Sequence, residues 1–143
     1  MNGININDFT PRREGQFPEF RSSENHCVHI GENPNHNYIR QFKVDGEVIS
    51  AASQEQRCDY LLLNDTETRS FYIELKGSDL PKAISQIENT IKLISPSIKK
   101  YVIFRRIVYH TGSHKTQESA VLKWKLKHGN SAKIQSRQMK DQL

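Results

Sequence analysis

The sequence predicts an α/β domain built on a mixed central β-sheet flanked by helices, and three features carry that prediction. Residues 58–63 and 70–76 are two β-like runs separated by a turn-rich break, residues 80–94 place apolar side chains at helical spacing, and residues 101–109 return to β-branched and aromatic residues. At 143 residues the chain fits one domain with a real core and is too short for two independent ones, so a single site is expected. Hydrophobic residues make up 35% and charged residues 26%, which is polar for a globular chain but not so poor in apolar residues as a disordered one.

Residues 1–36 read as an irregular N-terminal segment, because Gly3, Pro11, Gly15, Pro18, Gly31 and Pro34 keep regular structure short. One short helix is expected at residues 18–28, with Pro18 in its first turn and Phe20, Cys27 and Val28 on one face at spacings of seven and eight. The core is expected over residues 37–110. It opens with a hairpin, since Tyr38, Phe42 and Val44 alternate with Ile39, Gln41 and Lys43, and Asp45-Gly46 supplies a turn before residues 47–50.

After a polar connection at residues 51–56, Tyr60-Leu61-Leu62-Leu63 reads as a buried strand closed by the turn-rich residues 64–68. Residues 70–76 form the next strand, with Phe71, Ile73 and Leu75 on one face, Tyr72, Glu74 and Lys76 on the other, and Gly77 at its end. Ser78 or Asp79 caps the following helix and Pro81 sits in its first turn. Leu80, Ala83, Ile84, Ile87, Ile91 and Ile94 form its apolar stripe until Ser95-Pro96 stops it. Residues 101–109 make a strand interrupted by Arg105-Arg106. In the basic part at residues 111–143, Leu122, Trp124 and Leu126 of residues 116–128 alternate like a strand, while Gly129-Asn130 looks like a helix C-terminus. Helix is the favoured reading there, followed by a strand at residues 132–136.

The chemistry concentrates where two strands meet. Asp59 opens one strand and Glu74-Leu75-Lys76 closes the next, fifteen residues on. Side-chain alternation points Glu74 and Lys76 the same way, and strand pairing can set Asp59 beside them. Two carboxylates make a hard oxygen site of the kind Mg²⁺ uses, with the backbone carbonyl of Leu75 as a further ligand. A cation held there polarises a phosphate and activates water, while Lys76 orients that water or stabilises developing charge. This is the chemistry of phosphodiester hydrolysis.

Cys58-Asp59 followed by Glu74-Leu75-Lys76, in a strand, strand, helix, strand order, resembles the bipartite motif of the PD-(D/E)xK nuclease superfamily, which includes restriction enzymes, Holliday-junction resolvases and RecB-like nucleases. The resemblance covers about residues 38–110. It implies a restriction-endonuclease-like fold and a Mg²⁺- or Mn²⁺-dependent endonuclease acting on DNA, with Asp59 and Glu74 as metal ligands and Lys76 as the catalytic lysine. It also implies a homodimer. The chain departs from the motif at Cys58, where the family name has proline, and in the helix, where RecB-like members carry glutamine and a tyrosine four residues later but this chain has Gln86 and Thr90. Gln86 is assigned a supporting role. Many members add an acidic residue from an upstream helix, for which Glu19 and Glu24 are the candidates, ahead of Glu55 and Asp45.

Charge is unevenly spread: residues 99–143 carry 11 Lys/Arg against 2 Asp/Glu, while residues 1–98 carry 10 against 14. A concentrated basic region favours polyanions through counterion release, and Arg105, Arg106, Lys123, Lys125, Lys127, Lys133 and Arg137 are the candidates to grip a nucleic-acid backbone. Trp124 is expected to be a buried anchor rather than a stacking platform. His26, Cys27, His29 and His36 are spaced too irregularly for zinc and read as a polar surface loop, and His110 and His114 receive no role. No phosphate loop, GxSxG or HExxH motif is present, so a nucleotide cofactor and acyl transfer are not expected. Two cysteines make no disulfide framework, and no stretch has the length of a membrane span, so a cytoplasmic protein without a membrane partner is expected.

Overall fold

The computed structural model describes residues 2–76, 78–110 and 118–143. Among the described residues, nine strands and two α-helices follow one another as β1 (Arg13–Gly15), β2 (Glu19–Glu24), β3 (Cys27–Glu32), β4 (Ile39–Lys43), β5 (Tyr60–Asn64), β6 (Arg69–Lys76), α1 (Leu80–Ile94), β7 (Val102–Tyr109), α2 (Ser119–His128), β8 (Ala132–Ser136) and β9 (Gln138–Gln142). Six strands form the main sheet in the order β1-β4-β5-β6-β7-β8. It is antiparallel from β1 to β6 and parallel from β6 to β8. The change of direction at β6 follows from α1, because a helical crossover returns the chain in the same direction.

Helices α1 and α2 pack together on one face of this sheet, and a second sheet, β2-β3-β9, covers the other. Two cores result. Phe42, Leu61, Leu63, Tyr72, Ala83, Ile87 and Ile107 meet on the helical side, whereas Phe20, Leu62, Phe71, Ile73, Val108 and Met139 meet between the sheets. Strand β5 is buried along its whole length, as its continuous Tyr-Leu-Leu-Leu run requires. α1 begins where Asp79 accepts from the Lys82 amide at 3.0 Å with Pro81 in the first turn, and α2 ends at Gly129, whose φ is 55°.

Three expectations change. Residues 18–28 are not helical: they belong to the β2–β3 hairpin, whose turn residues Asn25 and His26 have φ of 51° and 60°, as a type I′ turn demands. Phe20 and Cys27 still share a buried side, but through strand alternation rather than helical spacing. Residues 47–50 form no hairpin strand, since both hydrogen-bonding edges of β4 are taken by β1 and β5. The chain instead folds back tightly over Val44–Val48, with Gly46 at φ 101° and the Ile49 amide donating to the Val44 carbonyl at 2.9 Å. The third change is β9, which reads as no strand because one of its two inward positions is the charged Asp141. The expected strand end at Gly77, the helix start at Thr116, and His114 lie outside the described residues. No helix among the described residues is long and apolar enough to cross a membrane.

Candidate functional site

Strands β5 and β6 pair with Tyr60 opposite Ile73. One step further the Asp59 amide donates to the Ile73 carbonyl at 3.1 Å, so Asp59 stands across from Glu74 at the carboxyl end of β6 and β7. Like charges directly across a strand pair are destabilising, and these two are also buried, with Asp59 7% and Glu74 2% exposed. Asp59 Oδ2 accepts from the Leu75 amide at 2.9 Å. Lys76 Nζ lies 4.0 Å from Glu74 Oε2, the other Glu74 oxygen has no hydrogen-bond partner, and the Lys76 side chain still reaches solvent.

The electrostatics follow from this burial. Desolvation pushes the Asp59 carboxyl up to about 6; the Leu75 amide and Lys43 hold it down, and the Glu24 and Asp45 carboxylates raise it. Glu74 is driven well above the carboxylate range, first by burial and then by Asp59 beside it, with Lys76 opposing. The pair therefore holds negative charge at a cost that a bound cation would remove.

Glu24 and Glu19, the two candidate upstream acids, lie on a strand and not on a helix. Glu24 ends β2 close to Asp59 and pairs with Lys43 Nζ at 3.2 Å. Glu19 sits at the other end of β2, about 17 Å away at 3.3–3.4 Å per residue, where its carboxylate pairs with Arg21 at 2.6 Å. Asp45 is held by Arg57 at 2.8 Å. Among the described residues no group of three or more His, Cys, Asp or Glu side chains is gathered as a metal cluster, so the candidate ligand set is the Asp59 and Glu74 carboxylates with the Leu75 carbonyl. That carbonyl already accepts from Asn25 Nδ2 at 2.8 Å.

Lys43 is the residue that the sequence reading missed. It pairs with Tyr60 across β4 and β5, placing its ammonium 5.1 Å from the Tyr60 ring and between Glu24 and Asp59. Burial disfavours its charge, yet those two carboxylates win and raise its pKa. Nothing local in the sequence signals this, because it depends on strand register.

Gln86 lies on α1 with its side-chain Oε1 buried and without a hydrogen-bond partner. Thr90 donates its hydroxyl to the Gln86 backbone carbonyl at 2.7 Å and accepts from the Cys58 amide at 2.8 Å, tying α1 to the segment that carries Asp59. The basic candidates divide. Arg105 pairs with Glu88 at 2.7 Å, and Arg106 is buried against Asp141 at 2.7 Å, so both guanidinium groups are engaged inside the fold. Lys133 lies 3.9 Å from Asp141, while Lys123, Lys125, Lys127 and Arg137 are exposed. Trp124 is a buried anchor whose Nε1 donates to Glu88 at 3.0 Å. His29 and Cys27 are not in a surface loop. Both are buried on β3, and His29 Nε2 lies 2.7 Å from Asp141 Oδ2. Comparison with protein-family models, with curated proteins and with solved structures finds no match to this chain.

Proposed function

We propose that this chain is a divalent-metal-dependent nuclease of the PD-(D/E)xK type, with a restriction-endonuclease-like core, that hydrolyses phosphodiester bonds of DNA. The observation that carries this reading is the pair of buried carboxylates, Asp59 and Glu74, facing each other at the carboxyl end of the parallel strands with Lys76 beside them. An antiparallel β4-β5-β6 meander followed by α1 and parallel β7 is also the arrangement that the motif resemblance implies. A merely solvent-facing charge pair does not fit a Glu74 that is 2% exposed.

The donor set suits Mg²⁺ or Mn²⁺, because it consists of hard oxygens and leaves one Glu74 oxygen without a partner. Asp59, Glu74 and the Leu75 carbonyl would hold the cation, which when bound polarises the scissile phosphate and makes water a better nucleophile. The Leu75 amide fixes the orientation of the Asp59 carboxylate. Lys76, close to Glu74 yet open to solvent, places a positive charge where the phosphate gains negative charge in the transition state. Lys43 keeps Asp59 ionised and so ready to bind a cation. A homodimer is the assembly that goes with this reading.

A second reading is a nucleic-acid-binding module that keeps this fold without catalysis, favoured by the Asn25 carboxamide already on the Leu75 carbonyl. Incubating supercoiled, linear and single-stranded DNA with Mg²⁺ or Mn²⁺ separates the two. Cleavage is expected for the parent, with a loss of at least about a hundredfold in Asp59→Ala, Glu74→Ala and Lys76→Ala. DNA binding without cleavage by the parent supports the second reading.

A further inference from the structure

Strands β6, β7 and β8 run parallel and end together, with Lys76 opposite Tyr109 and Tyr109 opposite Ser136. His110 follows β7 and Arg137 follows β8, so both stand beside Lys76 at the carboxyl edge of the sheet, where open α/β sheets take their ligands. Hydrogen bonds fix that placement. The His110 amide donates to the Lys76 carbonyl at 3.1 Å, and the Arg137 amide donates to the Tyr109 carbonyl at 2.7 Å. The β2–β3 turn closes on the same edge, with Asn25 Nδ2 on the Leu75 carbonyl at 2.8 Å and Cys27 Sγ 3.6 Å from the Lys76 carbonyl oxygen. That turn carries His26, whose ring centroid lies 5.5 Å from that of His110.

Two of these side chains sit on left-handed backbone. His26, at φ 60°, fills the second place of the type I′ turn, which glycine occupies at least cost, and Arg137 has φ 64° between β8 and β9. Both are exposed. Among the described residues no carboxylate pairs with His26, His110 or Arg137, in contrast to Lys43, Arg105 and Arg106, which are held by Glu24, Glu88 and Asp141. Of the carboxylates near this edge, Asp59 and Glu74 are the candidate cation ligands, Glu24 pairs with Lys43 at 3.2 Å, and Asp79 caps α1. The donors define an occupant. An imidazole offers an N–H in either protonation state, and a guanidinium offers a planar fork that matches two phosphate oxygens. From Lys76 to Arg137 is two strand spacings, about 10 Å. That is too wide for one phosphate and corresponds to about three nucleotides at a rise of 3.4 Å.

Building on the nuclease reading above, we propose that His26, His110 and Arg137 form a phosphate-binding edge that holds the nucleic-acid backbone beside the scissile phosphate. Fluorescence anisotropy of labelled DNA tests it, in a chelator so that metal-dependent cutting does not intervene. His26→Gly and Arg137→Gly preserve left-handed backbone that glycine adopts freely, and circular dichroism checks that each variant is folded. Arg137→Gly and the double variant His26→Gly/His110→Ala are each expected to weaken binding at least about fivefold, and Arg137→Gly to lower the slope of log K against log salt by about 1. Inorganic phosphate at the same phosphate concentration should compete poorly. Parent-like affinity in both folded variants, or equal competition by inorganic phosphate, overturns the phosphate-binding edge and leaves the nuclease reading to the cleavage assay. Weakened binding in the variants with no cleavage by the parent in Mg²⁺ or Mn²⁺ keeps the edge and overturns the nuclease reading. No binding of any DNA by the parent overturns both.

Discussion

Asp59 carries the tension of the site in one side chain. Its carboxyl titrates near 3.9 in an unfolded chain and at about 6 in the fold, where burial disfavours its charge. A raised folded-state pKa means that its contribution to stability is complete below about pH 3.9 and is lost as pH rises through 6. The loss amounts to at most about 3 kcal/mol. Asp59→Asn, which keeps an acceptor for the Leu75 amide, should therefore be more stable than the parent at pH 8 by about 1–3 kcal/mol in denaturant unfolding, with the gain vanishing by pH 4. It should also lose metal-dependent cleavage. A gain of equal size at both pH values would show that charge burial is not its source. Under the proposed function, activity and stability oppose each other at this residue.

At the scale of elements, β9 joins the small sheet to the main one. Asp141 accepts from Arg106 on β7 and lies against His29 on β3, each at 2.7 Å, while Met139 fills the core between the sheets. Although burial raises the Asp141 carboxyl, hydrogen bonds from His29 and Arg106 outweigh it and lower the pKa to about 2. A depressed carboxyl contributes stability above about pH 3.9 and loses it as pH falls through 2. Asp141→Asn leaves the buried Arg106 charge without its counterion and should cost about 3–5 kcal/mol at pH 7, a deficit that narrows below pH 3 in denaturant unfolding. An Asp141→Asn protein as stable as the parent would mean that this buried network does not hold β9.

Across the whole molecule, charge is unevenly spread, with 11 Lys/Arg against 2 Asp/Glu in residues 99–143. The α2 lysines Lys123, Lys125 and Lys127 are exposed, and Trp124 anchors that helix to Glu88 on α1. If those lysines contact phosphates, replacing all three by Glu lowers the slope of log K against log salt by about 2 to 3 for DNA. An unchanged slope would place the phosphate contacts elsewhere, with the exposed Arg137 the next to test.

The helix over residues 80–94, the strands at residues 60–63, 70–76 and 132–136, and the fold class were legible because each rests on local periodicity or capping. The Asp59, Glu74 and Lys76 spacing was legible for the same reason, since alternation along one strand fixes which side chains share a face. Other features depended on partners far away in the chain. The β2–β3 hairpin hid behind a helical spacing of Phe20 and Cys27, and β9 hid its inward position as an ion-paired Asp141. Lys43 reaches the site only through its register opposite Tyr60, and Arg105 and Arg106 are engaged by Glu88 and Asp141 once the helices and β9 are in place. Sequence alone determined the α/β class and which side chains of β6 share a face at the candidate site, because those are short-range properties. Tertiary structure decided which charges are buried, which are paired and which stay open to a ligand, because burial and pairing are set by contacts between segments that no local pattern encodes.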